Sequence, residues 1–163
     1  MIKNEHSVLT GFDPVQTNGA EASWINPDLV AEPAEVRGKR ILVVDDQEPV
    51  RECLRMVLEM DGYQVTEASD GAEALRSFTS DQFDLVITDL EMPVMRGNEL
   101  AAGIKSLAPS VPILMITASA GARRETGNPV DALLSKPFMV NELRFELRKL
   151  FSAQPVPALE CLS

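Results

Sequence analysis

The chain has 163 residues, of which 25 are acidic and 15 basic, for a net charge of −10. That length suits one domain with a sizeable core, and the acidic balance offers no footprint for a phosphate backbone, so direct nucleic-acid binding is not expected. Cys53 and Cys161 lack metal-ligand spacing and a paired framework, and neither a membrane-length apolar run nor a basic leader is present, which together predict a soluble, cytoplasmic protein without membrane insertion.

Residues 1–38 scatter Pro, Gly, Asn and Glu without an apolar period and carry six acidic against two basic side chains, the composition of a disordered N-terminal extension. Within it "SWINPDLV" (23–30) holds the lone Trp24 and reads either as a docking peptide or as solvated tail. From 39 to 151 five apolar runs alternate with helical patterns, the signature of an α/β protein with a parallel sheet. The predicted strands are Ile41–Val44, Gln64–Glu67, Asp84–Thr88, Val111–Ile116 and Asp131–Leu134. Their unbroken apolar runs, "ILVV", "LVI" and "ILMI", suit central strands covered on both faces. Val50, Leu54, Val57 and Leu58 keep helical spacing after the first strand, and Asp70 with Glu73 forms a capping pair for the second helix. Gly97 precedes the third helix, and Val140, Leu143, Leu147, Leu150 and Phe151 mark the last. The fourth connection, "AGARRETGNPV" (120–130), has two Gly, a Pro and hardly an apolar face, which predicts a shortened or irregular fourth helix. Residues 152–163 read as a short flexible tail, too short for an output domain.

The polar residues of this sheet collect at strand ends, where ligands bind in open α/β folds. Asp45 and Asp46 follow the first strand, Asp89 the third, Thr117 the fourth, and Lys136 the fifth. Two carboxylates about 5 Å apart repel by roughly 3 kcal/mol at an effective dielectric near 20. Three on one rim therefore call for protons or a cation, and hard oxygen ligands suit Mg²⁺. A bound cation would leave Asp89 able to act as a nucleophile, with Thr117 and Lys136 placed to hold phosphoryl oxygens.

The segments "VVDD", "ITDLEMP", "ITAS" and "SKPF", in this order and at these intervals, closely resemble the receiver domain of two-component response regulators over residues 39–151. The resemblance implies a flavodoxin-like (βα)5 fold with strand order 2-1-3-4-5. It implies that Asp89 accepts a phosphoryl group from a histidine kinase or histidine phosphotransfer protein. By the same match Asp46 and Asp89 ligate Mg²⁺ directly, Asp45 acts through water, and Glu91 contributes its backbone carbonyl. Thr117 and Lys136 would contact the phosphoryl group, the Lys136–Pro137 peptide would be cis, and Ala118 leaves room beside Asp89. Two departures stand out. The position three before the lysine, commonly a rotating aromatic in the family, is Leu133, and Lys136 follows Thr117 by 19 positions, fewer than usual. Glu91 and Ser119 occupy the positions that tune acyl-phosphate lifetime.

The expectation is a single-domain receiver, monomeric, that catalyses its own phosphorylation, turns over no external substrate and signals to an unidentified protein. The rival reading is a receiver-fold scaffold that holds a partner constitutively. A haloacid-dehalogenase phosphatase would need a second acid where "DLEMP" offers Glu91 followed by Met-Pro, and a flavodoxin would need a hydroxyl-rich loop after the first strand.

Overall fold

The computed structural model describes residues 37–79, 81–118 and 129–153. Their elements run β1 (Arg40–Val44), α1 (Glu48–Met60), β2 (Gln64–Ala68), α2 (Gly71–Ser77), β3 (Leu85–Asp89), α3 (Gly97–Leu107), β4 (Ile113–Thr117), β5 (Ala132–Ser135) and α4 (Val140–Ser152). The strands form one parallel sheet in the order β2-β1-β3-β4-β5. The five predicted strands are all present, with ends shifted by one or two residues. The predicted irregular fourth helix (120–130) lies, apart from Pro129 and Val130, outside the described residues, as does most of the predicted extension and tail. Arg37 and Gly38, assigned to the extension, form a turn in which Gly38 N–H donates to Gly62 O at 2.9 Å. Ser152, assigned to the tail, is the last residue of α4.

Alternation along each strand divides the core. Ile41, Val43, Leu85, Ile87, Leu114 and Ile116 face Leu54 and Leu58 of α1 and Leu143, Leu147 and Leu150 of α4. Leu42, Val44, Val86 and Ile113 face Ala74 of α2 and Leu100, Ala101 and Ile104 of α3. Both faces of the central strands are thus covered, which explains their uninterrupted apolar runs. Full burial of each Leu or Ile contributes about 1.5–3 kcal/mol, so the sheet and its four helices set the frame on which the polar rim is hung.

The connections are satisfied locally. Helix α1 ends in a Schellman motif, with Gly62 N–H bonded to Glu59 O and Tyr63 N–H to Leu58 O, both at 3.0 Å, and Gly62 at φ 91°. Asp61 at that helix end is countered by Arg144 of α4, whose Nε and Nη2 donate at 2.8 and 2.6 Å. At α2 the Asp70 carboxylate accepts from Glu73 N–H at 2.7 Å, while Glu73 reaches back to Ser69 rather than to Asp70 itself. Those two Ser69 hydrogen bonds hold the Glu73 carboxyl below its usual range. At the opposite end of the sheet from the acidic rim, Asp84 accepts from Arg40 N–H at 2.8 Å and Asp131 from Ile113 N–H at 2.7 Å. Each carboxylate closes the start of a neighbouring strand.

Candidate active site at the carboxyl rim of the sheet

The register places the site. Val44 pairs with Thr88 and Asp89 with Ile116, while Thr117 pairs with Ser135. The next residues after Val44 and Thr88 are therefore neighbours, and Asp45 meets Asp89 at the β1/β3 boundary, where strand order reverses. Lys136 reaches back from the end of β5 across β4. Its Nζ lies 2.9 Å from Asp45 Oδ2 and 2.8 Å from Asp89 Oδ1. The Lys136–Pro137 peptide is cis, and Lys136 N–H donates to Thr117 O at 2.8 Å.

These groups are removed from water to different degrees. Asp45 is 2% exposed, Asp89 7% and Thr117 1%, whereas Asp46, Glu91 and Ala118 are exposed. Burial pulls the Lys136 ammonium downward in pKa, but the hydrogen bonds to Asp89 and Asp45 and the two negative charges outweigh it, and the net shift is upward. The lysine is held charged between its partners. Asp89 is fixed at both oxygens, since Oδ2 accepts from Glu91 N–H at 2.7 Å. Asp45 Oδ1 accepts from Gln47 N–H at 2.9 Å; it bends the chain toward α1 as an Asx turn, and the helix cap position falls to Gln47.

The loop after β3 is packed close to the acid. A Cβ at Gly97 would stand 2.0 Å from Asp89 O, so that position requires glycine for space, whereas one at Gly71 would stand 3.0 Å from Met95, which would have to give by a few tenths of an ångström. Between them Met95 N–H donates to Pro93 O at 2.8 Å, closing a γ-turn whose central residue, Val94, has φ 69°. Thr88 Oγ1, fully buried, donates to Asp89 O at 2.9 Å.

Two buried carboxylates facing one ammonium leave net negative charge at the rim, and Asp46 adds a third carboxylate next along the chain. Among the described residues no three acids are drawn together into a cage able to hold a metal alone. Mg²⁺ does not require one, since one or two carboxylates, a carbonyl and several waters complete its shell. The donor set is compatible with that ion.

Of the other residues singled out in the sequence, Leu133 is half-buried and packs with Leu90, Met115 and Val130, and Ser119 lies outside the described residues. Three contributors were not anticipated. Arg51 Nη1 donates to Asp45 O at 2.8 Å, Thr88 donates to the Asp89 carbonyl, and Gly97 gives that carbonyl its space. The short run Asp89 to Gly97 was a signal for the last; Arg51 left none, because its reach depends on how α1 docks.

Known proteins resemble this chain in sequence and fold. The family model described as the response regulator receiver domain matches residues 41–148. Response regulator MprA of Mycobacterium bovis is 38% identical over 128 residues, covering 76% of this chain and 56% of that protein. Its counterpart in Mycolicibacterium vanbaalenii is 40% identical over 114 residues, covering 68% and 49%. The chain thus spans about half the length of these curated relatives. Among solved structures, response regulator TrrA from Thermotoga maritima in complex with Mg²⁺-BeF is 39% identical, covers 69% of this chain and 98% of its own, and superimposes with a TM-score of 0.65. Chemotaxis protein CheY4 of Vibrio cholerae is 33% identical with the same coverages and a TM-score of 0.64. Among the described residues no helix is long and apolar enough to cross a membrane. With matched motifs, strand order and acid–lysine rim in agreement, the chain belongs to the response regulator receiver domain family of two-component signalling.

Proposed function

We propose that this chain accepts a phosphoryl group on Asp89 from a phosphohistidine of a histidine kinase or phosphotransfer protein, turns over no external substrate, and signals through protein contacts. The observation that carries the reading is Lys136 Nζ held at 2.9 and 2.8 Å between Asp45 and Asp89. One ammonium serves two buried carboxylates and is positioned to follow new negative charge on either. An Asp89 carboxylate oxygen attacks phosphorus, the P–O bond forms as the P–N bond breaks, and the imidazole of the donor leaves. Asp46 and Asp89 would hold Mg²⁺ directly, with Asp45 through water and Glu91 through its carbonyl. When bound, the ion offsets the charge that gathers on the phosphoryl oxygens.

The chain's own groups then register the change. Phosphorylation adds roughly 1.5–2 negative charges at one rim. Lys136 keeps a partner by turning to a phosphoryl oxygen, and the buried Thr117 hydroxyl is a second donor whose strand also carries the backbone bond to Lys136. Movement of either is passed along β4 and β5 to α4. Leu133, packed among Leu90, Met115 and Val130, supplies no rotating aromatic, so the change runs through backbone and helix contacts instead.

Intact mass after incubation with acetyl phosphate, with and without Mg²⁺, tests this. A Mg²⁺-dependent gain of one phosphoryl group that is absent in Asp89→Asn supports the reading. Leu133 favours the rival scaffold reading, which predicts no gain with either acetyl phosphate or a phosphorylated histidine donor, and no Mg²⁺ binding.

A further inference from the structure

Asp45 is fastened at four points. Its N–H meets Ala68 O at 3.4 Å, Oδ1 accepts from Gln47 N–H at 2.9 Å, Oδ2 takes Lys136 Nζ at 2.9 Å, and its carbonyl accepts from Arg51 Nη1 at 2.8 Å. The first three are what a strand end, a turn and an ion pair provide. The fourth comes from a side chain on α1, which reaches back to pair the carbonyl of a residue that is only 2% exposed.

The Asp45 carbonyl and the Asp46 N–H belong to one planar peptide unit. Pinning the oxygen therefore sets the direction in which Asp46 leaves the strand. Asp46 needs this, because it is exposed and among the described residues no hydrogen bond or ion pair holds its carboxylate. Arg51 is itself oriented: its side chain is 15% exposed, and its Nε lies 3.7 Å from Glu67 Oε1. The other Glu67 oxygen takes Arg55 Nε at 3.1 Å. A cationic side chain beside a cation site is unfavourable by charge alone, so geometry has to be its contribution.

We propose that Arg51, held by Glu67, is a positioning residue that aims Asp46 at the divalent cation through the Asp45–Asp46 peptide. The inference rests on the receiver reading above. It is sharply testable because the two effects of Arg51 have opposite signs. Loss of its charge strengthens binding of a divalent cation nearby, whereas loss of its grip on the Asp45 carbonyl weakens it. Groups that orient ligands from the outer shell typically change metal affinity by about 10–100-fold, and an effect relayed through one peptide belongs at the lower end, about tenfold.

The experiment is a calorimetric titration of the full chain with Mg²⁺, without phosphodonor. Arg51→Gln raises the Mg²⁺ Kd by about tenfold. Arg55→Gln, which removes the same charge from the same Glu67 without touching Asp45, does not weaken binding. Arg51→Lys keeps the charge but cannot span the carbonyl and Glu67 in one planar fork, and falls between native and Arg51→Gln; it also serves should the glutamine variant fail to fold. With acetyl phosphate, Arg51→Gln shifts the Mg²⁺ concentration for half-maximal phosphorylation by the same factor as Kd while the rate at saturating Mg²⁺ is retained, a split that general loss of structure would not give. Native or tighter Mg²⁺ affinity in Arg51→Gln, or equal weakening in Arg55→Gln, overturns the inference and leaves the receiver reading intact. Absence of Mg²⁺ binding by the native chain overturns both.

Discussion

Among the described residues Val94 is the one non-glycine residue with a positive φ, and Val94→Gly should stabilise the protein. At φ 69° a side chain with a Cβ crowds its own carbonyl, at about 1–2 kcal/mol for an ordinary L residue, and a β-branched one sits at the upper end. The valine gains little in exchange, because it is 84% exposed and buries almost no apolar surface. Glycine relieves about 2 kcal/mol of strain but loses about 0.5–1 kcal/mol through the greater freedom of its unfolded chain. The net is a gain of about 1 kcal/mol, or about 4 °C in melting temperature for a domain of this size. Urea and thermal unfolding of the native chain, Val94→Gly and Val94→Ala give the measurement. Alanine keeps its Cβ and with it most of the strain, so it should recover less than half of the glycine effect. A neutral or destabilising Val94→Gly, or an alanine variant as stable as the glycine one, would refute the assignment of strain to the Cβ at this turn.

Three further outcomes follow from the same geometry. Gly97→Ala should cost about 3 kcal/mol or more in chemical denaturation, because its Cβ would overlap the Asp89 carbonyl at 2.0 Å and backbone must shift; phosphorylation should fall with it even where the variant is folded. Asp84→Asn should cost about 1–2 kcal/mol at neutral pH. Burial pushes the Asp84 carboxyl up, but hydrogen bonds from Arg40 and the charges of Lys39 and Arg40 bring it below its ordinary value of 3.8, so its contribution is complete above that pH and is lost as pH falls through the lower folded value. The gap between native and variant stability should accordingly narrow in acid, and a gap that does not narrow at all as pH falls below 3.8 would contradict this. Lys136→Met should destabilise by about 1–2 kcal/mol, discounted for the solvent that reaches the ammonium, and added Mg²⁺ should restore more stability to the variant than it adds to the native chain. Because the Lys136 pKa is raised, its contribution persists up to the unfolded value near 10.4 and disappears as pH rises through the folded one, a loss that the methionine variant lacks.

Much of this protein could be read along the chain because the relevant physics is local or periodic. The runs at 41–44, 85–87 and 113–116 suit strands buried on both faces, and a covered parallel sheet places its polar residues at the carboxyl ends. Asp45, Asp46, Asp89, Thr117 and Lys136 were recognisable there as chemically odd for strand ends, before any fold was known. Leu133 and the short Thr117–Lys136 interval were legible as departures only against the receiver pattern that the motifs resemble.

Tertiary structure decided everything that depends on one element reaching another. No spacing in the sequence tells that Lys136 spans Asp45 and Asp89 together, because that follows from β5 lying two strands from β3 and three from β1. Nor does the sequence reveal that Arg51 turns its guanidinium back onto the Asp45 carbonyl, since a residue on the first turns of α1 meets the rim only at the angle its buried Leu54 and Leu58 impose. The same holds for Gly97, whose need to lack a Cβ arises from an oxygen eight residues earlier that α3 happens to press against. Residue types and their periods determined which elements form and where charge collects; the docking of those elements determined which charges face one another, because side-chain contacts of a few ångströms are set by packing directions that local sequence does not encode.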